Sequence, residues 1–152
     1  MDALRAKSKY KIALISQDGS NREELVDALQ TNAMDHELSI FSDSDSFLES
    51  IESPIHAEQI KPIEAPNLIL IIQSVDDHRS LKMLCQLKRM PVVKTIPVIV
   101  FCPRNANVAT RHLYQLGAAS VIRMPLSFSG MVEIIKIMEE YWFKVATQPL
   151  PG

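Results

Sequence analysis

The sequence predicts an α/β protein in which strand and helix alternate five times, giving a doubly wound parallel sheet between two layers of helices. Five short apolar runs alternate with segments of helical periodicity along the 152 residues. Two of these runs are continuous in Ile, Leu and Val, which is typical of strands covered on both faces. The chain is 47% hydrophobic and 22% charged, so it is long and apolar enough for one domain with a buried core.

Each predicted strand is a run of four to six residues bounded by polar or turn-forming residues. Right-handed crossovers between parallel strands place helices on both faces of the sheet, and the functional crevice then lies beyond the carboxyl ends of the strands. The second run has the weakest apolar pattern of the five. The predicted strands are Tyr10–Ile15, Leu38–Phe41, Leu68–Ile72, Ile96–Phe101 and Ser120–Arg123.

Each strand is followed by a helical pattern. In the first, "SNREELVDALQ", Ser20 and Glu23 have the spacing of a capping box. "SDSFLESI" is a short second helix, and "HRSLKMLCQLKRM" is a third with Cys85 on its apolar side. "ANVATRHLYQLG" ends at Gly117, a residue suited to a helix C-terminus. "SFSGMVEIIKIMEEYWF" is the longest and most apolar.

Composition excludes several classes of protein. The formal net charge of −2 argues against nucleic-acid binding, and no apolar run approaches the length of a membrane span. The charged N-terminal stretch does not resemble a signal peptide. Two cysteines without a CxxC motif argue against a disulfide framework or a zinc site. We therefore expect a cytoplasmic protein that binds neither nucleic acid nor membrane.

Three separated segments carry a resemblance to a known family. "IPVIVF", "LGAASVIRMP" and the long final helix resemble the receiver domain of bacterial response regulators over about residues 9–145. The resemblance implies a flavodoxin-like (CheY-like) fold, (βα)5, with strand order 2-1-3-4-5. Residues 1–8 would be an N-terminal extension, and residues 146–152 a tail. Residues 53–65 are expected to form a long loop after the second helix.

The resemblance also implies a role in two-component phosphorelay signalling, with a sensor kinase or another signalling protein as partner. The long loop and the ending "MVEIIKIMEEYWF" are similar to stand-alone regulators that partner bacterial phytochrome kinases. Receivers of this family hold Mg²⁺ on an acidic pair, phosphorylate an aspartate after the third strand, and contact the phosphoryl group with a hydroxyl and a lysine. This chemistry depends on positioning and charge neutralisation.

In this sequence, all five of those positions carry other residues. The acidic pair falls on Ser16 and Gln17, the phosphoacceptor on Ile72, the hydroxyl on Cys102 and the lysine on Met124. Isoleucine has no nucleophile, and methionine cannot neutralise a phosphate. The expectation is a pseudo-receiver that is not an enzyme, is not phosphorylated and uses no metal or cofactor. In the family, the bond before the proline that corresponds to Pro125 is typically cis.

Two other interpretations of the remodelled pocket remain open. Cys102 could make it a small-ligand or redox sensor, with Arg104 nearby in sequence to lower the pKa of the thiol. Asp18 or Asp76 could act as a displaced phosphoacceptor, although Asp76 and Asp77 are also suited to cap the third helix. The four histidines have no ligand spacing, so no metal site is expected; they are His36, His56, His78 and His112.

The end of the last helix predicts an interface. Tyr141, Trp142 and Phe143 are consecutive, so they cannot all face one core, and aromatic residues are enriched at interface centres. In receivers, the fourth helix, fifth strand and fifth helix form the usual docking surface. We therefore expect a homodimer through the last helix, with interface candidates Leu113, Val121, Ile135, Tyr141, Trp142 and Phe143.

Overall fold

A computed structural model describes residues 10–16, 19–32, 36–52, 65–73, 79–104 and 110–147. Strands and helices alternate through these residues as the sequence predicts. The strands are β1 (Tyr10–Ile15), β2 (His36–Phe41), β3 (Leu68–Ile72), β4 (Val98–Cys102) and β5 (Ser120–Arg123). The helices are α1 (Gly19–Thr31), α2 (Ser44–Glu52), α3 (Arg79–Arg89), α4 (Thr110–Gln115) and α5 (Phe128–Glu140), which continues as a π-helical turn (Tyr141–Val145).

The five strands form one parallel sheet in the order β2-β1-β3-β4-β5. This confirms the predicted fold class and strand order. The register sets Ile15 beside Ile71, Ile72 beside Phe101, and Cys102 beside Arg123. The carboxyl ends of the inner strands therefore meet at one edge of the sheet, where ligands bind in folds of this type.

The sheet has an apolar core on each face, because successive side chains of a strand point to opposite faces. On β3, Leu68, Leu70 and Ile72 face α1 and α5, whereas Ile69 and Ile71 face α2, α3 and α4. All five side chains are buried. This two-sided burial is the reason that the strand has a continuous apolar sequence instead of an alternating one.

Several predicted elements have different boundaries in the structure. β2 begins at His36, earlier than expected, because this edge strand carries polar side chains that hide it from an apolar pattern. β4 begins at Val98, since the amide of Ile96 donates to the carbonyl of Val93 in the preceding turn. α1 begins at Gly19, which puts Ser20 inside the first turn instead of at the predicted cap.

The core-facing side of α3 is also different from the prediction. Its buried residues are Ser80, Met83, Leu84 and Leu87. Cys85 is only half-buried, because it lies beside this stripe and not within it. The expectation that Cys85 faces the core was wrong.

The last helix returns to the first strand. The hydroxyl of Tyr10 donates to the carbonyl of Phe143 at 2.8 Å, and the two rings stack with centroids 4.2 Å apart. Phe143 is buried, Trp142 is half-buried, and Tyr141 is exposed. This confirms that the three consecutive aromatic residues do not share one core.

Some predictions fall outside the described residues, namely those for Gln17, Asp18, Asp76 and Asp77, for His56 and His78, and for nearly all of the 53–65 loop. No helix in the described part of the chain is both long and apolar enough to cross a membrane.

Candidate functional site

The carboxyl edge of the sheet brings together the described positions where receivers place their chemistry. Ser16 follows β1, and its amide donates to the carbonyl of Phe41 at 2.9 Å. Ile72 ends β3, Cys102 ends β4, and Met124 follows β5 with its amide bonded to the carbonyl of Cys102 at 2.9 Å. The four side chains are all buried.

Ile72 and Met124 make this edge apolar. Ile72 is 5% exposed and belongs to the same contiguous core cluster as Phe101, Met124 and Met131. The cluster continues through α1 and α5, so the core extends to the tip of β3. An aliphatic side chain here offers neither a nucleophile nor a metal ligand, and the thioether of Met124 carries no charge.

Beside Ile72, a buried hydrogen bond joins β3 to α3. The hydroxyl of Ser80 donates to Oε1 of Gln73 at 2.8 Å, and both residues are buried. The amide of Gln73 also donates to the carbonyl of Phe101 at 2.8 Å. These bonds fix the chain where it leaves β3, because breaking them would leave buried polar groups unpaired.

Cys102 is a poor candidate for a reactive thiol. Burial raises its pKa, and the positive charge of Arg123 only partly opposes that effect. The thiol lies 3.5 Å from the carbonyl of Ile122, to which it can donate a weak hydrogen bond. Because the thiolate is the nucleophile, a raised pKa makes this sulfur less reactive than an ordinary cysteine.

Two arginines brace the loops at the mouth of the site. Nη1 of Arg123 donates to the carbonyl of Arg104 at 3.1 Å, and Nη1 of Arg104 lies 3.4 Å from the carbonyl of Pro125. These contacts tie the segment after β4 to the segment after β5. The bond between Met124 and Pro125 is trans, which differs from the cis form typical of the family. The trans form is the intrinsically favoured one.

The described residues at this edge do not fit a magnesium ion. Mg²⁺ prefers carboxylate and water oxygens in octahedral geometry. Ser16 offers a neutral hydroxyl and Ile72 a hydrocarbon, and no group of three or more His, Cys, Asp or Glu could hold a metal anywhere in the described ranges.

Sequence reasoning missed a buried polar cluster at the opposite end of the sheet. Glu139 on α5 is fully buried; its Oε1 accepts a hydrogen bond from Nδ2 of Asn32 at 3.1 Å. Its Oε2 lies 3.2 Å from Nδ1 of His36, but the two atoms are not aligned for a hydrogen bond. Burial raises the pKa of Glu139, and His36 and Asn32 oppose this. The signal was available, since Glu139 lies four residues after the core residue Ile135.

The predicted interface residues divide between core and surface. Leu113, Ile135 and Phe143 are buried, each contributing to a core cluster of the monomer, so they cannot meet a partner without opening the fold. Val121 and Trp142 are half-buried, and Tyr141 is exposed. The sequence pattern identified apolar positions on these elements but could not separate the core face from the outer face.

Comparisons with known proteins agree with this architecture. No family model matches the chain. The sequence is 24% identical to the response regulator Rcp1 of Synechocystis sp., over 91% of this chain and 93% of that protein. Among solved structures, the phosphorylated cyanobacterial phytochrome response regulator RcpA superimposes with a TM-score of 0.75 at 24% identity, covering 93% of this chain and 99% of that one.

A third similar protein is the response regulator RPA3017 of R. palustris, described in red light signalling, with a TM-score of 0.74 at 18% identity. The superposition covers 93% of this chain and 99% of that one. The chain therefore has the fold of the receiver domains of response regulators. In sequence it is similar to the response regulator Rcp1 and to the phytochrome response regulator RcpA.

Proposed function

We propose that this chain is a receiver domain that is not phosphorylated and that acts as a protein-interaction module in two-component phosphorelay signalling. Its partner would be a sensor kinase or another signalling protein. On this proposal the domain works by surface recognition in a single conformation, because no phosphoryl group arrives to change it.

The observation that carries the proposal is the burial of Ile72 in the core. The position at the tip of β3 that receivers use as phosphoacceptor is 5% exposed here and is packed in the cluster that contains Met124. Phosphoryl transfer needs a positioned nucleophile and cations that neutralise charge. A buried isoleucine beside a buried methionine supports neither requirement.

The neighbouring positions support the same conclusion. Cys102 stands at the hydroxyl position with a buried thiol whose pKa is raised. Ser16 stands at the first metal position, without a carboxylate. Restoring the chemistry would require several coordinated substitutions, because each group acts only in alignment with the others.

Intact-mass spectrometry after incubation with acetyl phosphate and Mg²⁺ tests the proposal. We expect no phosphoryl adduct on the wild-type chain. A conventional receiver treated in parallel shows that the reagent is active, and Ile72→Asp shows whether a carboxylate at this position is sufficient. An adduct on the wild-type protein would overturn the proposal and would direct attention to Asp18 and Asp76 as acceptors.

We further propose that the domain forms a homodimer through α5 and its π-helical turn. The outer side of this segment carries Ile137, Tyr141 and Val145, which are 58%, 50% and 71% exposed. Their four-residue spacing sets them along one side of the helix. Exposed charges of both signs flank the stripe, at Glu133, Lys136, Glu140 and Lys144.

An antiparallel pairing of two such helices would match these charges. If the two helices cross at the level of Met138 and Glu139, Glu133 lies near the partner's Lys144. Lys136 then lies near the partner's Glu140. Opposite charges across an interface fix its register. The stripe is therefore complementary to itself in both apolar character and charge.

A further inference from the structure

The acidic and basic residues of this protein are segregated along the chain. All 18 Asp and Glu residues lie in residues 1–77 or 133–140, whereas the 55 residues from 78 to 132 contain eight Lys and Arg and no acid. The formal net charge of −2 conceals this division. The stretch from 78 to 132 contains α3, β4, α4 and β5, together with the first residues of α5.

The fold gathers these cations on one side of the molecule. β4 and β5 are neighbours at one end of the sheet, while α3 and α4 contact each other on the same face. α3 turns Met83, Leu84 and Leu87 towards the core, and its cations Arg79, Lys82 and Arg89 are exposed. We call this surface the basic face; its exposed cations are Arg79, Lys82, Arg89, Lys94, Arg104, Arg111 and Arg123.

The eighth cation, Lys88, is half-buried and so does not belong to this exposed set. Nζ of Lys88 donates to the carbonyls of Lys94 and Ile96, at 3.0 and 3.2 Å, and burial lowers its pKa. Its stem also lies against Gly117, where a Cβ would come within 3.0 Å of Lys88 Cε. Lys88 therefore belongs to the packing between α3 and the turn after α4, and it is left out of the basic face.

The basic face ends between two neighbouring helices, α3 and the acidic α2. α2 lies beside α3 on the same face of the sheet and carries the exposed Asp45 and Glu49. Nε2 of Gln86 donates to the carboxylate of Asp45 at 3.2 Å across this boundary. A change of sign from one helix to the next makes an electric field that is directed across the molecule.

From this placement we infer that the basic face is a docking surface for a protein partner with an acidic surface. Placing seven exposed cations in one stretch of sequence that contains no acid raises their mutual repulsion, which mixed charges would avoid. An acidic partner removes that repulsion. The inference rests on the proposed function, since it gives the chemistry of the partner that such an interaction module would bind.

The surroundings of the face favour a protein over a nucleic acid. Arginine supplies five of the seven exposed cations and suits either partner. Tyr114 and Val92 are exposed beside these cations and add the aromatic and apolar area of a protein interface. The other 97 residues hold 18 acids and eight cations, so they would repel a polyanion that extends past the face. A compact acidic surface fits within it.

Fluorescence anisotropy with labelled poly-L-glutamate tests the inference, at about 150 mM salt so that charges far apart are screened. The variant Lys82→Glu with Arg111→Glu reverses one charge on α3 and one on α4. The matched control Lys136→Glu with Lys144→Glu makes the same change on exposed residues of the last helix. We expect the first pair to weaken binding by about tenfold or more, and the control by less than about twofold.

Several outcomes would overturn the inference. These are no binding of poly-L-glutamate by the wild type, equal weakening in both pairs, or tighter binding of a labelled DNA duplex in the same salt. Lys82→Gln with Arg111→Gln, which removes charge without adding acid, should give a smaller loss in the same direction. A phosphoryl adduct in the acetyl phosphate experiment would refute the proposed function alone, because this binding assay contains neither acetyl phosphate nor Mg²⁺.

Discussion

The two cysteines of the chain differ in their exposure to solvent. Cys102 is buried at the end of β4 with a raised pKa, whereas Cys85 is half-buried on α3. The sequence places Arg104 close to Cys102, which suggested a lowered pKa. In the structure, desolvation is the larger effect and the nearby cation is Arg123.

We therefore expect Cys85 to react with iodoacetamide well before Cys102 in the folded protein. The thiolate is the reacting form, and burial both disfavours it and blocks access. Timed alkylation followed by peptide mass spectrometry measures the two rates, and Cys85→Ala isolates that of Cys102. Faster modification of Cys102 would instead favour the redox-sensor interpretation.

For single residues, sequence reasoning assigned identities to the site but gave no information about their packing. It assigned Ile72, Cys102 and Met124 to the family's positions because the flanking segments fix the alignment. It could not find the bond between Ser80 and Gln73, because serine and glutamine occur on many exposed helices and loops. Which of them are buried depends on how β3 and α3 meet, and a local pattern does not contain that information.

Among the secondary-structure elements, helix α5 is attached to the sheet partly through an ionisable group. Glu139 is fully buried between Asn32, which follows α1, and His36 of β2. Its pKa is raised in the folded state, so the folded protein retains a proton that the unfolded chain releases at lower pH. The contribution of this carboxyl to stability is therefore highest at low pH and falls as the pH rises through its folded-state pKa.

Glu139→Gln should stabilise the protein at pH values above the folded-state pKa of Glu139, by roughly 1 kcal/mol or more, and should change its stability little near pH 4.5. The amide keeps an acceptor for Asn32 and carries no charge to desolvate. Urea denaturation at several pH values measures the difference. Glu140→Gln, an exposed neighbour with the same charge change, should show no such pH dependence; an equal effect in both variants would contradict this account.

Elements were predicted well where they are buried on both faces or strongly amphipathic. The bounds of β1, β3 and β5 match the prediction. β2 was too short in the prediction because it is an edge strand with half-exposed polar side chains, for which hydrophobic periodicity gives little signal. In the last helix, the π-helical turn and the packing of Phe143 leave Tyr141 exposed, and the sequence pattern alone does not predict which of the three aromatic residues is exposed.

At the scale of the whole molecule, the exposed stripe on α5 predicts the oligomeric state. Ile137→Glu should convert the proposed homodimer to a monomer, because a carboxylate would be desolvated at the centre of the interface. Sedimentation velocity over a range of concentrations measures this. Ile40→Glu, a similarly exposed isoleucine on β2, is the matched control and should leave the dimer intact; a monomeric wild type would contradict the proposal.

The contact between Tyr10 and Phe143 also bears on how the chain can be reconnected. These residues are far apart in sequence, but they touch through stacked rings and a hydrogen bond. The first strand and the last turn are thus neighbours, a geometry that tolerates circular permutation. A short linker between these two ends, with a new opening in a surface connection, would keep every strand pairing of the sheet. The five βα units could then be synthesised in a different order along the chain and still form the same fold.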